Sequence, residues 1–97
     1  MISTKKIKQI VVEVLENNTG KVSISLNHDL QDDLLISKDD YEKIASDLQD
    51  AFSERERCCC DFYDIDSWNT VAGICEDVVD CLEEQGYIIY YNNLEEI

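Results

Sequence analysis

Apolar residues recur at helical spacing over three stretches of the chain and alternate with polar ones over a fourth. Ile7, Ile10, Val11, Val14 and Leu15 follow i, i+3, i+4, i+7, i+8, which predicts a first helix from about Thr4 to Glu16 with one apolar stripe. Asn17-Asn18-Thr19-Gly20 ends it, with Gly20 available for a left-handed cap. Lys5, Lys6 and Lys8 lie at its start, the end of a helix that disfavours cations. Val22-Ser23-Ile24-Ser25-Leu26 alternates strictly and reads as a short strand. Tyr87-Ile88-Ile89-Tyr90-Tyr91 has strong β propensity, so 22–26 and 87–91 are expected to pair as a small ribbon. Leu30 and Leu34 are expected to insert between helices. Ser37 suits an N-cap, with Asp40 three residues on imitating a capping box. A second helix then runs from Lys38 to about Ser53 on Tyr41, Ile44, Ala45, Leu48 and Phe52. Asp61 to Trp68 reads as a short third helix laying Phe62, Ile65 and Trp68 on the core. Asn69 or Thr70 caps a fourth, striped by Val71, Ile74, Cys75, Val78, Val79 and Leu82 and stopped by Gly86.

Composition narrows the class. Ninety-seven residues without Pro and with only three Gly favour one all-α domain, residues 1–97, over a turn-rich sandwich. The net charge of −14 is unevenly spread: residues 1–21 carry four Lys against two Glu, and residues 22–97 carry four Lys or Arg against twenty Asp or Glu. Such a surface repels nucleic-acid phosphates and anionic membrane. It suits a protein partner with a basic patch, or a chain that imitates nucleic acid to block a protein that binds it.

No stretch approaches the ~18 apolar residues of a membrane span. The lysines near the start are followed by Ile10-Val11-Val12, which Glu13 breaks, so no signal-peptide core is read and a cytoplasmic protein is expected. The five cysteines contain no Cys-x-x-Cys pair, and His28 is the only histidine, so neither a zinc site nor a disulfide framework is expected. Cys75 and Cys81 read as small buried hydrophobes. Arg55 and Arg57 beside Cys58-Cys59-Cys60 favour thiolate, while Glu54, Glu56 and Asp61 oppose it. There is no Gly-rich phosphate loop and no nucleophile–base pair at recognisable spacing, so no enzyme is expected.

The order of these elements, with Ile10 and Val14 in the first helix, Leu30 four residues before Leu34, Asp33-Leu34, Leu48 and Phe52, and Thr70-Val71 opening the last, resembles the acyl carrier proteins over about Lys6 to Glu84. The resemblance implies an acyl-carrier-like four-helix bundle, three main helices plus one short, with residues 87–97 outside it. Asp32-Asp33-Leu34-Leu35-Ile36-Ser37-Lys38-Asp39-Asp40 is similar to the family's Asp-Asp-Leu-Gly-x-Asp-Ser-Leu-Asp motif, and Lys38 falls where the family has the serine that carries phosphopantetheine. An amine cannot form that phosphodiester. Leu35 replaces the motif's Gly, and Asp39 its following hydrophobe. The pattern from Ile36 to Ile44 looks closer to a bacterial group of uncharacterised carrier-like proteins lacking the serine motif.

The resemblance therefore implies a protein without a cofactor. What it carries over is a docking face of acids at the second helix, Asp39, Asp40, Glu42, Asp47 and Asp50, on a monomer or weak dimer. The alternative is a genuine carrier modified at Ser37 after a one-residue slip. The acidic nucleic-acid mimic stands as a second alternative.

Overall fold

The computed structural model describes residues 2–57 and 65–90. Its order is β1 (Ile2–Ser3), α1 (Thr4–Thr19), a 3-10 turn (Lys38–Asp40) leading into α2 (Tyr41–Glu56), a 3-10 turn (Ile65–Ser67), α3 (Val71–Glu84) and β2 (Ile89–Tyr90). The chain is mostly helical, and no described helix is long and apolar enough to cross a membrane.

Each helix begins and ends where local chemistry satisfies its terminal backbone groups. At α1, the Ser3 hydroxyl accepts from the Lys6 N–H, and Gly20 closes the other end at φ +72 with its N–H on the Glu16 carbonyl. At α3, the Thr70 hydroxyl accepts from the Gly73 N–H. Two further N–H groups of its first turn are taken by the preceding loop: Val71 donates to the His28 carbonyl at 3.2 Å and Ala72 to the Leu26 carbonyl at 3.0 Å. The fourth predicted helix is thus α3, held at its start by residues 26–30.

Residues 22–26, expected as a strand, form no ladder. Ser23 takes φ +60, which breaks the extended run: Val22 turns to solvent while Ile24 is buried. The tail does pair, but with β1: Ile2 lies opposite Ile89 and Ser3 opposite Tyr90, in parallel, within one chain. Tyr91, the end of the expected strand, lies outside the described residues. So do Cys58–Cys60 and the first half of the expected third helix, including Phe62; the described remainder of that helix is the turn Ile65–Ser67, followed by a buried Trp68.

The core is the set of helical stripes. α1 packs against both α2 and α3, so its stripe of Ile7, Ile10, Val11, Val14 and Leu15 is covered from two sides. Tyr41, Ile44, Leu48 and Phe52 come from α2, and Val71, Ile74, Cys75, Val78 and Leu82 from α3. Leu30, Leu34 and Ile36 fill the space between from the long connection. Polar side chains then tie α1 to α2. Arg55 grips both carboxylate oxygens of Glu13. Asn18 donates to Asp47 at 2.9 Å and accepts from Lys43 at 2.8 Å.

Candidate docking surface at the start of the second helix

Residues 29–37 set the geometry of this end of the molecule. Asp29 and Asp33 form a reciprocal turn: the Asp29 carboxylate accepts from the N–H groups of Gln31 and Asp32, both at 2.9 Å, and the Asp33 carboxylate accepts from the Asp29 N–H at 2.7 Å. Asp33, an acid of the carrier-like motif, is thereby committed to backbone, as is Asp29 just before it. The Leu34 N–H then reaches the Asp29 carbonyl at 3.0 Å and the Ile36 N–H the Leu30 carbonyl at 2.8 Å. With 34 and 36 both turned inward, the residue between them faces out. Leu35 is 73% exposed and sits at φ +58.

Ser37 follows in extended conformation. Its hydroxyl makes no cap to backbone and instead donates to the Asp40 carboxylate at 3.1 Å. The capping-box pair expected at Ser37 and Asp40 meets side chain to side chain, because the segment enters as a 3-10 turn, with Asp40 N–H on the Ser37 carbonyl. Ser37, Lys38, Asp39, Asp40 and Glu42 are all exposed, and Asp39 and Asp40 stand in the first turn, where the helix dipole favours anions.

The structure does not gather the five expected docking acids on one face. Asp39 and Glu42 line an open groove of about 650 Å³ with Lys38, Ser46, Ile65 and Asp66, on the side of α2 away from α1. Asp40 lines a second groove, of about 480 Å³, with Asn18, Lys21, Leu35, Lys43 and Ile44. Asp47 and Asp50 turn toward the end of α1. Asp47 is occupied there by Asn18, whose amide holds its carboxyl below the usual carboxylate range, aided by Lys43. Asp39, Asp40 and Glu42 are the acids left at the helix start.

Tyr41, the first residue of α2, and Trp68 lie with ring centres 6.0 Å apart, and the Tyr41 hydroxyl donates to the Trp68 carbonyl at 3.4 Å. Burial, with Asp29 and then Asp66 adding to it, raises the Tyr41 phenol above its ordinary value. The Trp68 indole donates to Asp77. His28 serves a turn, its Nδ1 accepting from the Ser25 N–H at 3.1 Å. Among the described residues no group of three or more His, Cys, Asp or Glu side chains is arranged for a metal ion. Arg55, one of the two arginines beside Cys58–Cys60, is committed to Glu13.

Leu35 is the surface residue that sequence reasoning passed over. Its signal was the Gly that the resembling motif has at this place, since a position requiring positive φ is one that glycine fills most readily.

No protein-family model, no curated protein and no solved structure matches this chain.

Proposed function

We propose that this chain is a non-catalytic interaction module, built on the plan of an acyl carrier protein without its prosthetic group, that docks a protein partner bearing a basic patch through the start of α2. The observation that carries the reading is the exposed run at the α2 entrance: Asp39, Asp40 and Glu42 stand at a helix N-terminus on a frame whose Leu34, Ile36 and Ile44 are buried directly behind them. Exposed carboxylates contribute little to stability, so three at one helix start are better suited to steering and orienting a cationic partner. The resemblance gains support from Leu35, whose backbone takes the conformation that suits the glycine of the carrier motif. The prosthetic group is left out because Lys38 stands where the motif has its serine, and because the Ser37 hydroxyl is turned onto Asp40.

Two measurements test this. Intact mass after coexpression with a broad phosphopantetheinyl transferase is expected to be that of the unmodified chain. A gain of one phosphopantetheine at Ser37 would make the protein a carrier. Reversing Asp39, Asp40 and Glu42 together to Lys is expected to slow association with a partner and to flatten its salt dependence, because steering charge acts chiefly on the encounter rate. Unchanged binding by the folded triple variant would remove the docking role.

A further inference from the structure

We propose that the outer edge of β2 pairs with the same edge of a second copy of this chain, antiparallel and in register about Ile89, so that two molecules share one four-stranded sheet. The inference goes beyond the docking reading above, since it concerns the other end of α1 and a different occupant. Its starting point is the hydrogen-bond register. β1 and β2 run parallel with Ile2 opposite Ile89, and the Ile2 N–H donates to the Ile88 carbonyl at 3.1 Å. In a parallel ladder Ile2 bonds to the two neighbours of its partner, so the N–H and C=O of Ile89 itself point away from β1. Among the described residues nothing outside the ladder bonds to either group. A strand edge with an unmet donor and acceptor is a template for another strand.

This edge is complementary to itself. Across a twofold axis at Ile89, two antiparallel copies exchange both bonds, each Ile89 N–H on the other's Ile89 carbonyl. Ile88 of each copy then lies opposite Tyr90 of the other. These are two of the four large apolar side chains exposed among the described residues, at 69% and 55%, and their i, i+2 spacing puts them on one face of the strand. Cross-strand pairs of an aromatic and a β-branched side chain stabilise a sheet, and the symmetry makes this pair twice. Ile89 turns the other way and packs on the core.

Charge is least adverse at this end of the molecule. Residues 1–21 carry four Lys against two Glu, and the first turn of α1, directly after β1, holds Lys5 and Lys6 and no acid. The hollow beside Tyr90 is lined by one lysine, Lys6, and one acid, Glu56. The start of α2 lies at the far end of α1, where Lys43 reaches Asn18. Copies that meet at β2 therefore keep their most acidic ends apart.

The test is sedimentation velocity of the intact protein, with its cysteines reduced, over a range of concentrations at low and at high salt. A monomer–dimer equilibrium is expected. Each copy carries a net charge of −14, so screening of the residual repulsion should tighten the dimer as salt rises. Ile88→Lys and Tyr90→Lys are each expected to weaken it about tenfold to a hundredfold, although each lowers the net charge, because the apolar pair is lost twice per dimer. Val22→Lys is the control. Val22 is 79% exposed beyond the other end of α1, so the same charge change there should leave a dimer at least as tight as the parent's. Amide exchange reads the register: the Ile89 N–H should exchange more slowly as the concentration rises, and should not do so in Ile88→Lys.

A chain that stays monomeric at every concentration and salt overturns the proposal. So does a dimer that dissociates as salt rises, which would be held by charge, or one that Ile88→Lys and Tyr90→Lys leave intact. An Ile89 amide indifferent to concentration overturns the register and the proposal with it. None of these outcomes bears on docking at the start of α2, which the reversal of Asp39, Asp40 and Glu42 tests separately.

Discussion

Cys75 and Leu48 show what single side chains do for this fold. Burial on α3 pushes the Cys75 thiol up to about 12. The folded chain therefore keeps a proton that the unfolded chain releases near the ordinary thiol value, about 8.5. The contribution is whole below that value and drains away as the pH climbs toward the folded value, at roughly 1.4 kcal/mol per pH unit. Cys75→Val, which keeps the volume and cannot ionise, is expected to match the parent near neutrality and to exceed it progressively above about pH 9 in urea melts. Tyr41, also raised by burial, leaves some alkaline loss in both proteins. Equal alkaline limbs for the two would show that Cys75 is not buried as described. Leu48 makes the plainer case. It is fully buried on α2 beneath α1, so Leu48→Ala is expected to cost about 2–5 kcal/mol. A loss well under 1 kcal/mol by denaturant titration would mean that α2 is not packed here.

At the scale of elements, the stripes and caps were legible because they are local. The five residues of the α1 stripe, the αL glycine at its end and the threonine opening α3 each carry their signal within a few positions. Other features depended on distant partners. The alternation of Val22 to Leu26 is a true pattern, yet Ser23 at φ +60 breaks it, and Leu26 and His28 spend their carbonyls on the start of α3. The pairing of Ile2–Ser3 with Ile89–Tyr90 joins two-residue strands, too short to show any period. The acids proposed for docking were legible as residue types. Their spread around α2 was not, because it depends on how that helix is turned against α1, where Asn18 reaches across to Asp47. That reach invites a double-mutant cycle. Asn18→Ala and Asp47→Ala are each expected to cost about 1 kcal/mol, and the pair clearly less than their sum, because both report one bridge. Asp47 is held below its ordinary value, so its contribution is present above that value and is lost as the pH falls through the lowered one. The coupling should accordingly weaken in strong acid, where a neutral carboxyl accepts less strongly from the Asn18 amide, and additive costs at neutral pH would break the link between the helices.

Over the whole molecule, one strongly acidic chain uses its charge in different ways. Glu13 and Asp47 hold α1 and α2 together, Asp29 and Asp33 shape a turn, and Asp77 receives the Trp68 indole. Asp39, Asp40 and Glu42 are left exposed at a helix start, next to an outward leucine that the backbone holds under strain. Reversing those three acids should leave the fold standing, since they lie off the stripe of Tyr41, Ile44 and Leu48. The cost is roughly 0.3–1 kcal/mol for each cation placed at the helix N-terminus.

The most direct test of docking at this face is site-specific photocrosslinking in the native cell, with a benzophenone amino acid placed in turn at Asp39, Glu42 and, on the exposed side of α3, Glu83. Discrete protein adducts are expected from 39 and 42, and none from 83. Adducts equally abundant from all three positions, or absent from 39 and 42, would contradict docking through the start of α2.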